Sequence, residues 1–286
     1  MKSFCIKTNN ECILDYLLKE FENLPLTDTY FVKSEFCHYK NVIIHHTGQE
    51  EKQFFALLAG VLSRCVIAFY EENIILSLIR LNYFYFDALE QETILQNTID
   101  LLSGPEEEFI VRKEYLYIAI LSYLLENKSF LFDGFVNFRL AKYKEVLDYS
   151  IDIAVNQFII EREYSEFIHL LKLYIRSKES EIDLVHVIYA NGEAILLDKN
   201  KNTISTCDNA FNAKYLSDIT FSANDYALNT LLTLIPEKIV VHLIDLEDEF
   251  VNTLKLIFDD RIKICTECNL CRTYRLITNK DVSKTH

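Results

Sequence analysis

The sequence predicts an α+β chain with a small N-terminal strand and helix module, a mostly α-helical middle and a C-terminal α/β domain with a mixed sheet. Three observations carry this. Apolar residues recur at helical spacing almost without a break from Gln49 to about Ser177. Near Asn191-Gly192 the chain turns to two runs rich in Val and Ile, the pattern of a hairpin. Beyond it helical and strand patterns alternate, the layout of later strands made parallel by right-handed crossovers. The expected segments are 1–48, 49–178, 179–264 and a cysteine-containing basic tail at 265–286.

In chain order, SFCIKT is a short strand and residues 11–23 a helix stopped by Pro25. YFVKSEFC and KNVIIHH read as two strands around a turn at His38 to Asn41. His45 and His46 are adjacent, so a strand points them to opposite faces and away from a shared ion. The helical middle is punctuated at Asn82, Gly104-Pro105, Asn127 and Asp133-Gly134. Pro105 followed by Glu106, Glu107 and Glu108 marks a helix start whose acids answer the dipole. Residues 132–175 predict two long amphipathic helices, with Phe138, Val146, Tyr149 and Ile153 near one face and Arg139, Lys142 and Lys144 beside them. Cations among aromatics could track an acidic partner or single-stranded nucleic acid, but the favoured reading is a solvated face with apolar stems. After the hairpin LVHVIYANGEAILLD come a second turn at Lys199–Asn202, a helix over Ala223–Leu234, the strand KIVVHLIDL, a helix over Glu247–Phe258 and the strand RIKIC.

Composition narrows the functional classes. The 286 residues are half hydrophobic and a quarter charged, with 17 Tyr and 20 Phe that predict an aromatic core. A net charge of −14 argues against a whole-surface nucleic-acid binder. From Arg261 onward, however, six cations (Arg261, Lys263, Arg272, Arg275, Lys280, Lys284) meet two acids (Glu267, Asp281), a local balance of +4. The N-terminus lacks the apolar run of a signal peptide, and the longest uncharged stretches, such as 53–63 and 115–125, are short of a membrane span. A cytoplasmic protein is expected, with its 8 cysteines as free thiols or metal ligands. Peripheral membrane attachment through 54–86 is a weaker idea that needs Phe54, Leu58, Val61 and Phe69 exposed. With 5 glycines there is no phosphate-binding loop, dinucleotide turn or nucleophile elbow.

The chemistry concentrates in CTECNLC, where Cys265, Cys268 and Cys271 follow one another at two-residue gaps. Such gaps let a turn aim sulfurs at one ion or cluster. Zinc would take Cys265 and Cys268 plus two further ligands, and a third ligand only three positions on is crowded. A ferredoxin-type loop would add a nearby Cys-Pro, where this chain has Arg275 and Leu276. A remaining ligand must come from afar, with Cys207, His242 and His286 as candidates. Two other readings stay open: a redox dithiol of Cys265 and Cys268 favoured by Arg272 and Lys263, or reduced thiols with no role. A separate constellation, Asp198, Asp245 and Asp248 at strand ends, could hold Mg²⁺ for phosphate-ester chemistry. Against it, the acids after KIVVHLI also read as a helix cap.

The run FVNFRLAKYKEVLDYSIDIAVNQFIIEREYSEFIHLLKLYI, then EIDLVHVIY with a downstream LLD, then CTECNLC, resembles the sporulation protein family YtxC of spore-forming Firmicutes. The resemblance runs from about residue 110 to Cys271. It implies a cytoplasmic protein associated with sporulation and attaches no activity to any residue. The expected function is therefore a binding or regulatory protein with a zinc or iron–sulfur site at Cys265, Cys268 and Cys271 and an unidentified protein partner. Nucleic acid at the basic tail is not favoured, and the alternative is a metal-dependent enzyme.

Overall fold

The computed structural model describes residues 2–25, 28–36, 39–105, 107–205, 222–244 and 248–282. Of the expected features, the His38 turn, Glu106, Cys207, Asp245, Glu247, Lys284 and His286 lie outside them. The chain divides into two compact units, Met1–Glu161 and Arg162–His286.

The first unit begins with β1 (Lys2–Thr8), α1 (Glu11–Glu22), β2 (Thr29–Phe36) and β3 (Tyr39–His46), followed by α2 (Glu51–Asn82), α3 (Ala88–Ser103), α4 (Glu107–Glu126), β4 (Ser129–Leu131), α5 (Phe132–Phe138) and the first part of α6 (Ala141–Ser177). Its sheet has the order β2-β3-β1-β4, with β1 antiparallel to β3 and parallel to β4. Local chemistry sets the helix starts. Asn10 accepts the Cys12 N–H at 2.9 Å ahead of α1, and Asp87 with Glu90 closes a capping box on α3. Alternation along β1 and β3 turns Phe4, Ile6, Val42 and Ile44 inward, where they share one core with Leu58, Leu62, Ile120 and Phe130. His45 and His46 do point apart: His45 pairs with Ser3, and His46 stacks on Phe54 and bonds Thr29.

One expectation is corrected here. Residues 132–175 hold the short α5 and the single long α6, not two long helices, and Gly134 sits inside α5 because its neighbours Phe132, Phe135 and Val136 are drawn into the core. Phe138 therefore ends α5, largely exposed, off the face that carries Val146 and Ile153. By length and composition alone α2 could cross a membrane, but half of its most apolar window is buried, as in a core helix. Phe54, Leu58 and Val61 are buried and Phe69 packs on the same core, so they form no free apolar face for membrane attachment.

The second unit contains the end of α6, β5 (Leu184–Ala190), β6 (Glu193–Leu197), α7 (Ala223–Leu234), β7 (Lys238–Leu243), α8 (Glu249–Phe258), β8 (Ile262–Cys265) and α9 (Asn269–Val282). The β5–β6 turn uses Asn191 and Gly192 at φ 54° and 77°, the left-handed pair that a type I′ turn requires. The sheet order is β6-β5-β7-β8, with β5, β7 and β8 parallel as the crossover pattern predicts. One face presents Val185, Val187, Tyr189, Ile239 and Val241 to Ile168 and Ile175 of α6, Leu231 of α7 and Leu254 of α8. The other face carries His186, Ile188, Val240, His242 and Cys265 by alternation and register, and α9 packs against β5 and β7. Within the segment read as a tail, Asn269–Val282 form a helix.

Candidate metal centre

Four side chains of the second unit converge: His242, Cys265, Cys268 and Cys271, whose donor atoms all lie within 4.8 Å of one another. The parallel register sets His242 of β7 beside Cys265 at the end of β8, on one face. The chain then turns, with Cys268 immediately before α9 and Cys271 in its first helical turn. Changing from strand to helix relieves the crowding expected for a third ligand three positions on. Each sulfur hangs from a backbone of different direction.

The His242 Nδ1 lies 3.3 Å from the Cys268 Sγ and 3.4 Å from the Cys271 Sγ. The Cys271 Sγ is 3.6 Å from that of Cys268 and 3.9 Å from that of Cys265. Sulfurs about 2.3 Å and a nitrogen about 2.0 Å from a tetrahedral zinc would stand about 3.8 Å and 3.5 Å from one another. The observed edges fit that tetrahedron. A cluster would need its thiolates spread over several irons, so the donor set suits one ion.

The electrostatics prepare the ligands. Desolvation works to raise the Cys268 thiol, but N–H groups of Cys271 and Leu270 and the two neighbouring thiols outweigh it and lower its pKa. Those N–H groups are unsatisfied donors of the first turn of α9, the place where a helix favours negative charge. Burial and hydrogen bonds to Cys268 and Cys265 push Cys271 up to about 12, a thiol that gives up its proton only when a cation arrives. Burial, then His186 and Lys201, lower His242 to about 4 and keep its imidazole neutral near pH 7. Its Nε2 lies 2.9 Å from the Nδ1 of His186. With Nδ1 turned to the sulfurs, Nε2 carries the proton and donates it to His186, which fixes tautomer and ring orientation. His186→Ala is expected to weaken zinc binding by about 10–100-fold with the strands intact, read by competition against a chromophoric chelator; unchanged affinity would remove His186 from the site.

Of the three remote candidates, His242 joins the triple, while Cys207 and His286 lie outside the described residues. His186 was not singled out from sequence. Its signal is the register of β5 on β7, which sets position 186 diagonal to position 242 on one face. The carboxylates behave differently. Asp198 closes the turn after β6, accepting N–H groups of Asn200 and Asn202 at 2.8 Å each. Asp248 caps α8, accepting from Phe250 and Val251, and receives the Tyr189 hydroxyl. Leu197 pairs with His186 near the start of β5, whereas Leu243 pairs with Tyr189 near its end, so Asp198 and Asp248 sit at opposite ends of that strand. Asp245 lies outside the described residues. Among the described residues the His and Cys group is the one cluster of three or more such donors. Of the basic residues, Arg261 is held inside the unit, donating to the carbonyl of Pro236 at 3.1 Å, while Lys263, Arg272 and Arg275 are exposed.

The family model described as YtxC-like family matches residues 56–263. The match begins earlier than the quoted run and ends two residues before Cys265; it includes His186 and His242 but not the cysteine triple. The YtxC protein of Bacillus subtilis (strain 168), itself uncharacterised, is 24% identical over 200 residues, covering 68% of this chain and 71% of that protein. No solved structure matches.

Proposed function

The chain belongs to the YtxC-like family, and from that premise we propose a sporulation-associated, cytoplasmic binding or regulatory protein whose C-terminal unit is fastened by one zinc ion. His242, Cys265, Cys268 and Cys271 hold the ion. The observation that carries this is the convergence of four donor atoms within 4.8 Å of one another, four of the six spacings being 3.3 to 3.9 Å. Four protein ligands close the coordination shell and leave no position for substrate or water, which favours a structural over a catalytic ion. The ion would pin α9 across the second face of the sheet. Binding a protein partner, with the net charge of −14 weighing against nucleic acid, is the role that remains for such a unit.

Elemental analysis and an absorption spectrum of the full chain purified without oxygen, beside Cys268→Ser, test the reading. One zinc per chain, no visible colour and loss of the metal in the variant are expected. Cobalt substitution should give the intense visible bands of a tetrahedral thiolate site. Iron with sulfide would replace zinc by a cluster, and absence of metal from the unmodified chain would sink the reading.

A further inference from the structure

We infer that the part of α6 in the second unit is a self-association surface, on which two copies of this chain pair antiparallel through Phe167, Leu170 and Tyr174. This part of α6 has two apolar faces. Ile168, Leu171 and Ile175 serve the core of the unit. About a quarter turn away from that face Phe167, Leu170 and Tyr174 are 55%, 63% and 44% exposed. Positions 163, 167, 170, 174 and 178 recur at steps of four, three, four and four, so they make one stripe. A strongly apolar face on a well-formed helix marks an interaction site rather than scattered surface hydrophobics.

The occupant follows from the charges at the ends of that stripe. Glu163 stands at its amino end and Lys178, immediately after the helix, at its carboxyl end, both exposed. A twofold axis near position 170 in an antiparallel pair would bring Glu163 of each copy to Lys178 of the other. The same axis brings Phe167 to Tyr174 and Leu170 to the axis itself. The surface is thus complementary to itself in charge and dipole, as an isologous interface allows. The three side chains offer on the order of 300 Å² of exposed surface per copy. About 600 Å² over both copies is less than a standard specific interface buries, so the dimer should be weak and concentration-dependent.

Sedimentation velocity of the full chain over a concentration series tests this. A reversible monomer–dimer equilibrium is expected, weakened roughly tenfold or more by Leu170→Asp, with circular dichroism and metal content unchanged. Glu163→Lys and Lys178→Glu, each alone, should weaken self-association about fivefold. Mixed together they should restore it, because both cross-pairs are then attractive; misfolding of either variant could not produce that recovery. A chain that stays monomeric at its solubility limit, a dimer indifferent to Leu170→Asp, or single variants that do not complement each other would overturn the proposal.

Discussion

Cys271→Ser should abolish tight metal binding and release α9 from the sheet. The side chain is fully buried, lies within 3.9 Å of both other sulfurs and 3.4 Å of the His242 nitrogen, and is itself the residue of α9 that enters the cluster. A serine oxygen is shorter-armed and harder, and burial would keep it protonated. Loss of a partner that merely orients a ligand costs about 10–100-fold in affinity, so loss of a ligand should cost at least a hundredfold, measured by chelator competition. Hydrogen exchange should rise along α9 and at the ends of β7 and β8, because binding free energy is folding free energy in such units. Unchanged protection in α9 would mean that the ion does not hold the helix.

Acid should have the same effect as the substitution, through the thiolates. Protons compete with zinc for sulfur, so affinity falls as pH falls. His242 contributes differently. Its folded value of about 4 lies below the unfolded value of 6.5, so the metal-free unit is favoured above about pH 6.5 and loses that contribution as pH drops toward 4. Zinc loss above about pH 6.5 would therefore report on the cysteines.

What the sequence made legible follows from how local each signal is. The hairpin at Asn191-Gly192 and the strands KIVVHL and IKIC are written in turn chemistry and β-branched runs, and the register simply aligns them. Cys265, Cys268 and Cys271 were legible because spacing is a one-dimensional property. His242 was legible only as one candidate among three, and His186 not at all. Their meeting depends on β5 and β7 being parallel neighbours although 56 residues separate the two rings. The single long α6 was hidden for another reason. Its fully buried residues serve the core of the first unit up to Val155 and that of the second from Ile168, so its apolar positions do not follow one continuous face. The carboxylates misled because a cap and a metal ligand use the same residue types; only the opposite ends of β5 separate Asp198 from Asp248.

Arg112→Met should be among the most damaging changes in the first unit, although nothing in the sequence marks Arg112 out. Its side chain from α4 is 5% exposed and reaches Glu71 of α2, 13% exposed, with Nε to Oε2 at 3.0 Å and Nη2 to Oε1 at 3.4 Å. Tyr143 of α6, buried, donates its hydroxyl to the same carboxylate. Three helices thus meet on one carboxylate, and burial together with the Glu71 charge drives the Tyr143 hydroxyl pKa upward. Removing the arginine leaves that charge without its main partner in a low-dielectric site, a loss of about 3–5 kcal/mol. For a unit of this size the melting temperature should fall by roughly 10 °C. Tyr143→Phe deletes one neutral donor and should cost about 1–3 kcal/mol. The sign of the double variant decides the physical cause. Glu71→Leu combined with Arg112→Met removes both charges and should recover much of the stability lost in Arg112→Met alone, because desolvating an ion pair costs nearly what the pair returns. If the double variant is as unstable as the sum of the singles, the pair contributes by packing and hydrogen bonding rather than by cancelling a buried charge.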